Sequence, residues 1–355
     1  MKLLIRVPSD GFATEPIERC PLCLSSDVKL SFLKYGDPYF TCRECETLFL
    51  AKRPTVIKIK QCYSETGDIS LIPKMRQFDR NDIPERWIRY FKTIEEIRCD
   101  SGGRHLDIGC GAGECLIASK HMGWKSIGVE VGKSAADFVK DKLQLEVINK
   151  DFMEIQFDKE SFGLVTINEA LEHMIDPLKT IEKAVGLLKP GGVFVYSVPS
   201  IEFIGYKAFG RLWHMIHSAH LQYFSKKAVQ SIAKRYGLKV SKIYSLGGGA
   251  QGSRVAMNIL RTDIAWTVFS YFTMCRARLF ATDKPVGWFS SQDERNKDPR
   301  MRMRQAMDNL IKRTRVLWDI LGFPIHFLSK VLDRQQSVIV FCVKEGQGKS
   351  SNGLS

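Results

Sequence analysis

The sequence predicts an α/β protein: a doubly wound sheet whose strands alternate with helices, preceded by a small β module held together by cysteines. Three observations predict it. Residues 104–131 read as strand, glycine turn, helix, strand and acid. Beyond them, apolar runs of strand length alternate with helical periodicities to about residue 244. Near the N-terminus, Cys20-Pro-Leu-Cys23 and Cys42-Arg-Glu-Cys45 form two C-x2-C pairs with eighteen residues between them.

The cysteine pairs come first in the chain. Two cysteines on one tight knuckle both reach a single tetrahedral Zn2+, and a second knuckle closes the shell. Val28 to Leu33, Tyr39 to Thr41 and Thr47 to Leu50 read as strands around them. Residues 1–60 therefore resemble a zinc ribbon, with Cys20, Cys23, Cys42 and Cys45 as structural zinc ligands. A closed four-sulfur shell lets a module with few apolar residues fold. Leu24 departs from the glycine that many such knuckles carry. Charges in the ribbon are mixed: Lys29, Lys34 and Arg43 against Asp27, Asp37, Glu44 and Glu46. That balance favours a structural or docking role over nucleic-acid binding.

Residues 61–103 form a connector. Ser64 to Asn81 lacks periodicity, and Glu85 to Ile97 reads as a helix with Trp87, Tyr90, Phe91, Ile94 and Ile97 on one face. Such a stripe packs on a core.

In the core, residues 104–250, Leu106 to Ile108 is a buried strand that runs into Gly109, Gly111 and Gly113. Glu114 to Met122 follows as a helix, then Ser126 to Val129 as a strand ending at Glu130. An acid at the tip of the second strand, about 20 residues on, suits ribose hydroxyls. The glycines run G-x-G-x-G, and Glu114 takes the place of the third dinucleotide glycine, where it would face a pyrophosphate. Asp107, just before the first glycine, suits an ammonium group. Both facts favour an amino-acid-bearing nucleoside over a diphosphate.

With these residues in view, the segment resembles the class I S-adenosylmethionine (SAM) dependent methyltransferases. The resemblance implies a Rossmann-like seven-stranded sheet and SAM held by Asp107, Gly109, Gly111, Gly113 and Glu130. It implies too that the 61–103 connector is a lid over the cofactor pocket. It adds Asp151 and Phe152, at the end of a strand Leu143 to Ile148, for the adenine. Asp151 also reads simply as a helix cap. Phe162 to Ile167 is the next strand, ending in Asn168-Glu169-Ala170-Leu171-Glu172-His173. Asp176-Pro177 opens a helix, which Lys189-Pro190-Gly191-Gly192 ends, and Val193 to Val198 is the fifth strand. These runs look like the UbiG-like and related small-molecule methyltransferases. In a quinone-biosynthetic subset, residues matching Glu169, Glu172 and His173 hold a divalent metal, and the set suits Mg2+ or Zn2+; otherwise Glu172 and His173 shape the acceptor pocket. His214, His217 and His220 follow at three-residue steps. By resemblance His220 faces the acceptor. Ser225 caps a helix Lys226 to Tyr236, and Leu238 to Tyr244 is the sixth strand. Asn168, His173 and His220 should meet at the carboxyl ends of the strands. His220 is the first expectation for general base and His173 the second, with Glu172 beside them.

The last strand, Ser337 to Val343, comes late, within 336–345. Residues 251–335 therefore read as a helical insertion before it, basic through Arg295 to Arg315 and rich in aromatics, and 346–355 as a tail. The net charge of +14 and this insertion suit a phosphate-bearing acceptor or peripheral contact with a membrane surface. The ten cysteines, six of them scattered, and the lack of a secretory pattern or long apolar run point to the cytoplasm. The expected function is methyl transfer from SAM to a small molecule: a sugar, sugar nucleotide or other specialised metabolite. The alternatives are UbiG-like O-methylation of a phenol or quinone precursor, and a nucleic-acid-binding modifier.

Overall fold

The computed structural model describes residues 14–34, 36–54, 83, 85–99, 103–213, 215–217, 219–246 and 337–346. The expected 251–335 insertion, the 346–355 tail beyond Gly346 and His214 lie outside the described residues.

Seven strands make the main sheet: β6 (Arg104–Ile108), β7 (Lys125–Val129), β8 (Val147–Ile148), β9 (Phe162–Asn168), β10 (Leu188–Pro199), β12 (Leu238–Leu246) and β13 (Ser337–Lys344). Their order is β12-β13-β10-β9-β6-β7-β8. Strands β10, β9, β6, β7 and β8 pair in parallel, while β13 runs antiparallel between β10 and β12. This is the expected Rossmann-like sheet. Its central strands are apolar without alternation because helices cover both faces; β9 is buried from Phe162 to Ile167. The covering helices include α1 (Glu85–Ile97), α2 (Glu114–His121), α3 (Lys133–Asp137), α4 (Pro177–Leu187) and α6 (Lys226–Arg235); a short α5 (Ile204–Phe209) follows β10. Caps set their starts as expected. Asp176 accepts from Lys179 N with Pro177 in the first turn, and Ser225 Oγ accepts from Ala228 N.

Two local expectations differ. The strand expected over 143–148 is confined to Val147–Ile148, because Gln144 takes a left-handed φ of 53° and Leu143 turns inward against Val139. The Lys189–Gly192 turn lies within β10, as an irregularity in its register with β9.

The N-terminal module has β1 (Thr14–Pro16) paired with β5 (Lys52–Pro54). Its other strands, β2 (Val28–Lys34), β3 (Asp37–Cys42) and β4 (Leu48–Leu50), form a second sheet that the sequence did not complete. The fourth strand, β11 (Gln222–Tyr223), comes from the connection between β10 and β12 and pairs antiparallel with β4. Tyr39, Leu48 and Leu50 are buried there against Ile201, Trp213, Leu221 and Tyr223. Among the described residues no helix is long and apolar enough to cross a membrane.

Candidate functional site

The glycine loop after β6 is tied to the end of β7, with Gly109 N and Cys110 N both donating to Val129 O at 2.8 and 3.1 Å. Gly109 has φ +71°, and a Cβ there would lie 2.8 Å from Ala170 Cβ. Only glycine lets the loop pass this close to the segment after β9. Gly113, at φ +80°, starts α2 and abuts Val139 and Leu143 in the same way. Glu130 clamps the loop: its two carboxylate oxygens accept from Gly111 N at 2.9 Å and Gly132 N at 2.7 Å. Glu114 turns away from the loop, pairing with Arg86 and accepting from Trp87 Nε1 at 3.3 Å.

Under the loop runs a buried chain that sequence reading missed. Ser119 Oγ donates to His105 Nδ1 at 2.7 Å, His105 Nε2 donates to Thr166 Oγ1 at 2.8 Å, and Thr166 Oγ1 donates to Asp107 Oδ1 at 2.6 Å. The direction follows from the carboxylate, which can only accept. Burial raises the Asp107 carboxyl to about 7; the Thr166 hydrogen bond opposes the rise and the Glu130 charge adds to it. Burial drives His105 down to about 3, so its ring is neutral. Alternation in β6 carried no hint of this chain, since every residue from His105 to Ile108 is buried.

The residues present fit SAM. A buried carboxyl whose ionisation is opposed by its surroundings is stabilised by an incoming ammonium. Asn168 accepts from Tyr90 Oη at 3.2 Å, and its side chain helps to hold the Asp107 carboxyl down against burial. Asp151 caps the turn Phe152–Glu154 through Met153 N at 2.9 Å, which is its simpler expected role. The Phe152 ring is buried in the core beneath Lys183 Nζ.

Across the Gly109–Ala170 contact lies the second half of the site. The turn Leu171–His173 carries Glu172 and His173, and the loop before β11 carries His217 and His220. His173 Nδ1 donates to Ala219 O at 2.8 Å, which leaves Nε2 as the basic nitrogen. Glu172 Oε1 is 3.9 Å from that Nε2. His220 is buried and packs edge-on to His173, with centroids 4.7 Å apart, and against His217 at 4.0 Å. His173 remains partly open, its side chain 26% exposed. Thus Glu172, His173 and His220 converge as expected.

Glu169 does not join them. The residue turns at φ +49°, and its Oε2 accepts from Ser337 Oγ at 3.2 Å. Ligand atoms within 4.8 Å of one another come from Glu172, His173 and His220 instead. One carboxylate with two imidazoles is a poor set for Mg2+, which prefers oxygen. The described geometry thus gathers Glu172, His173 and His220 as candidate ligands, with the Glu169 charge still acting on Glu172, and no step is routed through an ion.

The four ribbon cysteines do fit Zn2+. Their sulfurs all lie within 4.8 Å, with Cys20–Cys45 at 3.4 Å and Cys23–Cys42 at 3.5 Å. A tetrahedral zinc tetrathiolate places its sulfurs about 3.8 Å apart. The two knuckles are built alike: Leu24 N donates to Cys20 O and Glu46 N to Cys42 O, with Leu24 and Glu46 both left-handed. The hydrogen bond between Cys20 and Cys45 lowers the Cys45 thiol and raises that of Cys20.

Residues 78–243 match the model of a family described as a methyltransferase domain. The match covers a little under half of the chain. This domain is similar to a ubiquinone biosynthesis O-methyltransferase of Coxiella burnetii (strain Dugway 5J108-111), 32% identical over 120 residues, which are 32% of this chain and 51% of that protein. A demethylmenaquinone methyltransferase of Oceanobacillus iheyensis is 31% identical over 127 residues, 32% of this chain and 52% of that protein. The chain thus spans about half the length of the curated relatives it matches. Among solved structures, a SAM dependent methyltransferase from Archaeoglobus fulgidus aligns with a TM-score of 0.46 and 16% identity, over 78% of this chain and 100% of that one.

Proposed function

We infer that the chain transfers a methyl group from SAM to a small-molecule acceptor, and that the acceptor is a phenol or quinone precursor. One observation carries the reading. A loop fit for SAM abuts, through Gly109 and Ala170, a turn whose histidine is fixed with its basic nitrogen partly open. The names of the relatives, ubiquinone and demethylmenaquinone enzymes, support a quinone-ring acceptor over the sugar or sugar nucleotide first expected.

When bound, SAM supplies a methyl group already activated by a sulfonium, so the protein need not activate the leaving group. Glu130 and the glycine loop would hold the nucleoside, and Asp107 its ammonium. Position and orientation of the acceptor carry much of the rate. His173 is the better-supported proton acceptor, ahead of His220. The bond to Ala219 O fixes its tautomer, and Glu172 gives the resulting imidazolium an acidic neighbour. His220 is buried and serves as the wall against which His173 packs. With SAM bound, the acceptor oxygen would receive the methyl group with S-adenosylhomocysteine leaving, and His173 would take the proton that the oxygen gives up.

Calorimetry of the full chain with S-adenosylhomocysteine tests the first half. Absence of binding to folded protein would overturn the reading. Mass spectrometry of a panel of dihydroxybenzoates and phenols, beside phosphorylated sugars, tests the second; a product among the sugars alone would restore the first expectation. The ribbon is read as structural, and the cytoplasm as the compartment.

A further inference from the structure

Arg53, at the end of the ribbon, is not accounted for by the chemistry above. The residue is 3% exposed; burial lowers its pKa to about 9, while the charges of Cys20 and Asp176 partly compensate the cation without a direct ion pair among the described residues. All three guanidinium nitrogens donate to oxygens instead. Nε reaches Leu50 O at 3.3 Å, Nη1 reaches Ile175 O at 2.9 Å, and Nη2 reaches Leu221 O at 3.3 Å and Gln222 Oε1 at 2.9 Å. Burying a cation this way is unfavourable unless its geometry is used, because carbonyls compensate a guanidinium less well than a carboxylate does.

The acceptors explain the geometry. Leu50 belongs to the ribbon, Ile175 follows the Glu172–His173 turn, and Leu221 and Gln222 follow His220. One planar fork therefore holds the two segments that supply the acceptor-side histidines, and holds both to the ribbon. Gln222 completes the clasp: its Nε2 donates to Leu171 O at 2.8 Å and Met174 O at 3.0 Å. Leu221 N donates to Glu172 O at 2.8 Å, and His173 Nδ1 closes the circuit on Ala219 O. Leu221 N and His173 Nδ1 tie the two segments to each other directly, and the Arg53–Gln222 clasp adds side-chain bonds from the ribbon to both.

We propose that Arg53 is a positioning residue for the methyl-transfer site, acting with Gln222 to set the tautomer and orientation of His173 against His220. The ribbon is thereby part of the acceptor-side wall. The proposal rests on the methyltransferase reading for its purpose, but its test does not need that reading.

The test uses full-length, zinc-loaded protein labelled at histidine with 15N, and long-range 1H–15N spectra that distinguish imidazole tautomers. In the wild type His173 should show the Nδ1–H form. In Arg53→Met, His173 should lose that pattern, while buried His105 keeps its Nε2–H form and zinc content stays at the wild-type value. Retention of the Nδ1–H pattern at His173 in a folded Arg53→Met protein would overturn the proposal. Should that variant not fold, Gln222→Met removes the same clasp from the other side and leaves the cation in place. The same selective change at His173 is expected, and its absence there sinks the idea. S-adenosylhomocysteine titration of the same samples separates the two readings. Wild-type protein that binds none refutes the methyltransferase reading and leaves the tautomer result standing on its own.

Discussion

The imidazoles of His173 and His220 stand edge to face, at an interplanar angle of 69°, although one follows β9 and the other precedes β11. One ring is partly open and oriented by a carbonyl, the other buried behind it. The pair divides its work accordingly. His173→Gln should lower kcat by about 10²- to 10⁴-fold, the usual worth of a general base, with unchanged affinity for S-adenosylhomocysteine. Steady-state rates on the acceptor found by the screen, beside calorimetry, check it. Equal loss of cofactor binding would place His173 in the cofactor site instead.

Asp107 makes cofactor binding pH-dependent. Its carboxyl is raised to about 7 by burial, so below that pH it is increasingly protonated and a poor partner for an ammonium. Affinity for S-adenosylhomocysteine should weaken as pH falls through 7, approaching about tenfold per unit. For the unliganded fold the sign is opposite. A folded value above the ordinary 3.8 means that the contribution of Asp107 to stability is full below that value and is lost as pH rises through about 7. Calorimetry and denaturant titration at pH 6 and pH 8 test both signs.

Thr166→Val removes the hydroxyl that lowers the Asp107 value. It should push the carboxyl further up and move the pH dependence of binding to higher pH. The cost in stability is about 1–3 kcal/mol, because His105 Nε2–H loses its acceptor in the core. An unmoved binding profile would show that Asp107 does not meet the ligand.

Leu24 sits at φ 69° and is 46% exposed, so its side chain contributes little packing in return for a left-handed backbone. The penalty for that conformation, about 1–2 kcal/mol, exceeds the entropic cost of glycine, about 0.5–1 kcal/mol. Leu24→Gly should therefore stabilise the zinc-loaded protein by roughly 0.5–1 kcal/mol. Denaturant unfolding measures it, and a loss of stability would contradict the left-handed knuckle.

Stripping zinc, or Cys42→Ser, should release the ribbon and with it the β4–β11 pairing. Leu48, Phe49 and Leu50 are buried there, at roughly 1.5–3 kcal/mol each. The melting temperature should fall together with the zinc content, and amide exchange should rise at Gln222 and Tyr223. Protection retained in metal-free protein would mean that strand pairing alone holds the ribbon.

The sequence by itself determined the local pieces. Glycines at 109 and 113 require φ above zero, and Asp176 and Ser225 cap helices from within a few residues. Cysteine pairs with two residues between them form knuckles, and apolar runs of strand length set the strands of the main sheet. All of these depend on contacts near in the chain, so residue type and spacing carry them. What tertiary structure decided were encounters between distant segments. The glycine loop sits against Ala170 because the sheet order places β6 beside β9. Thr166 and His105 meet across those two strands, where unbroken burial erased any alternation that could have marked them. Glu169 is held by Ser337 because β13, reached only late in the chain, brings that hydroxyl to its carboxylate. Arg53 reads in sequence as one more basic residue; only the pairing of β4 with β11 buries it among the carbonyls that flank His173 and His220.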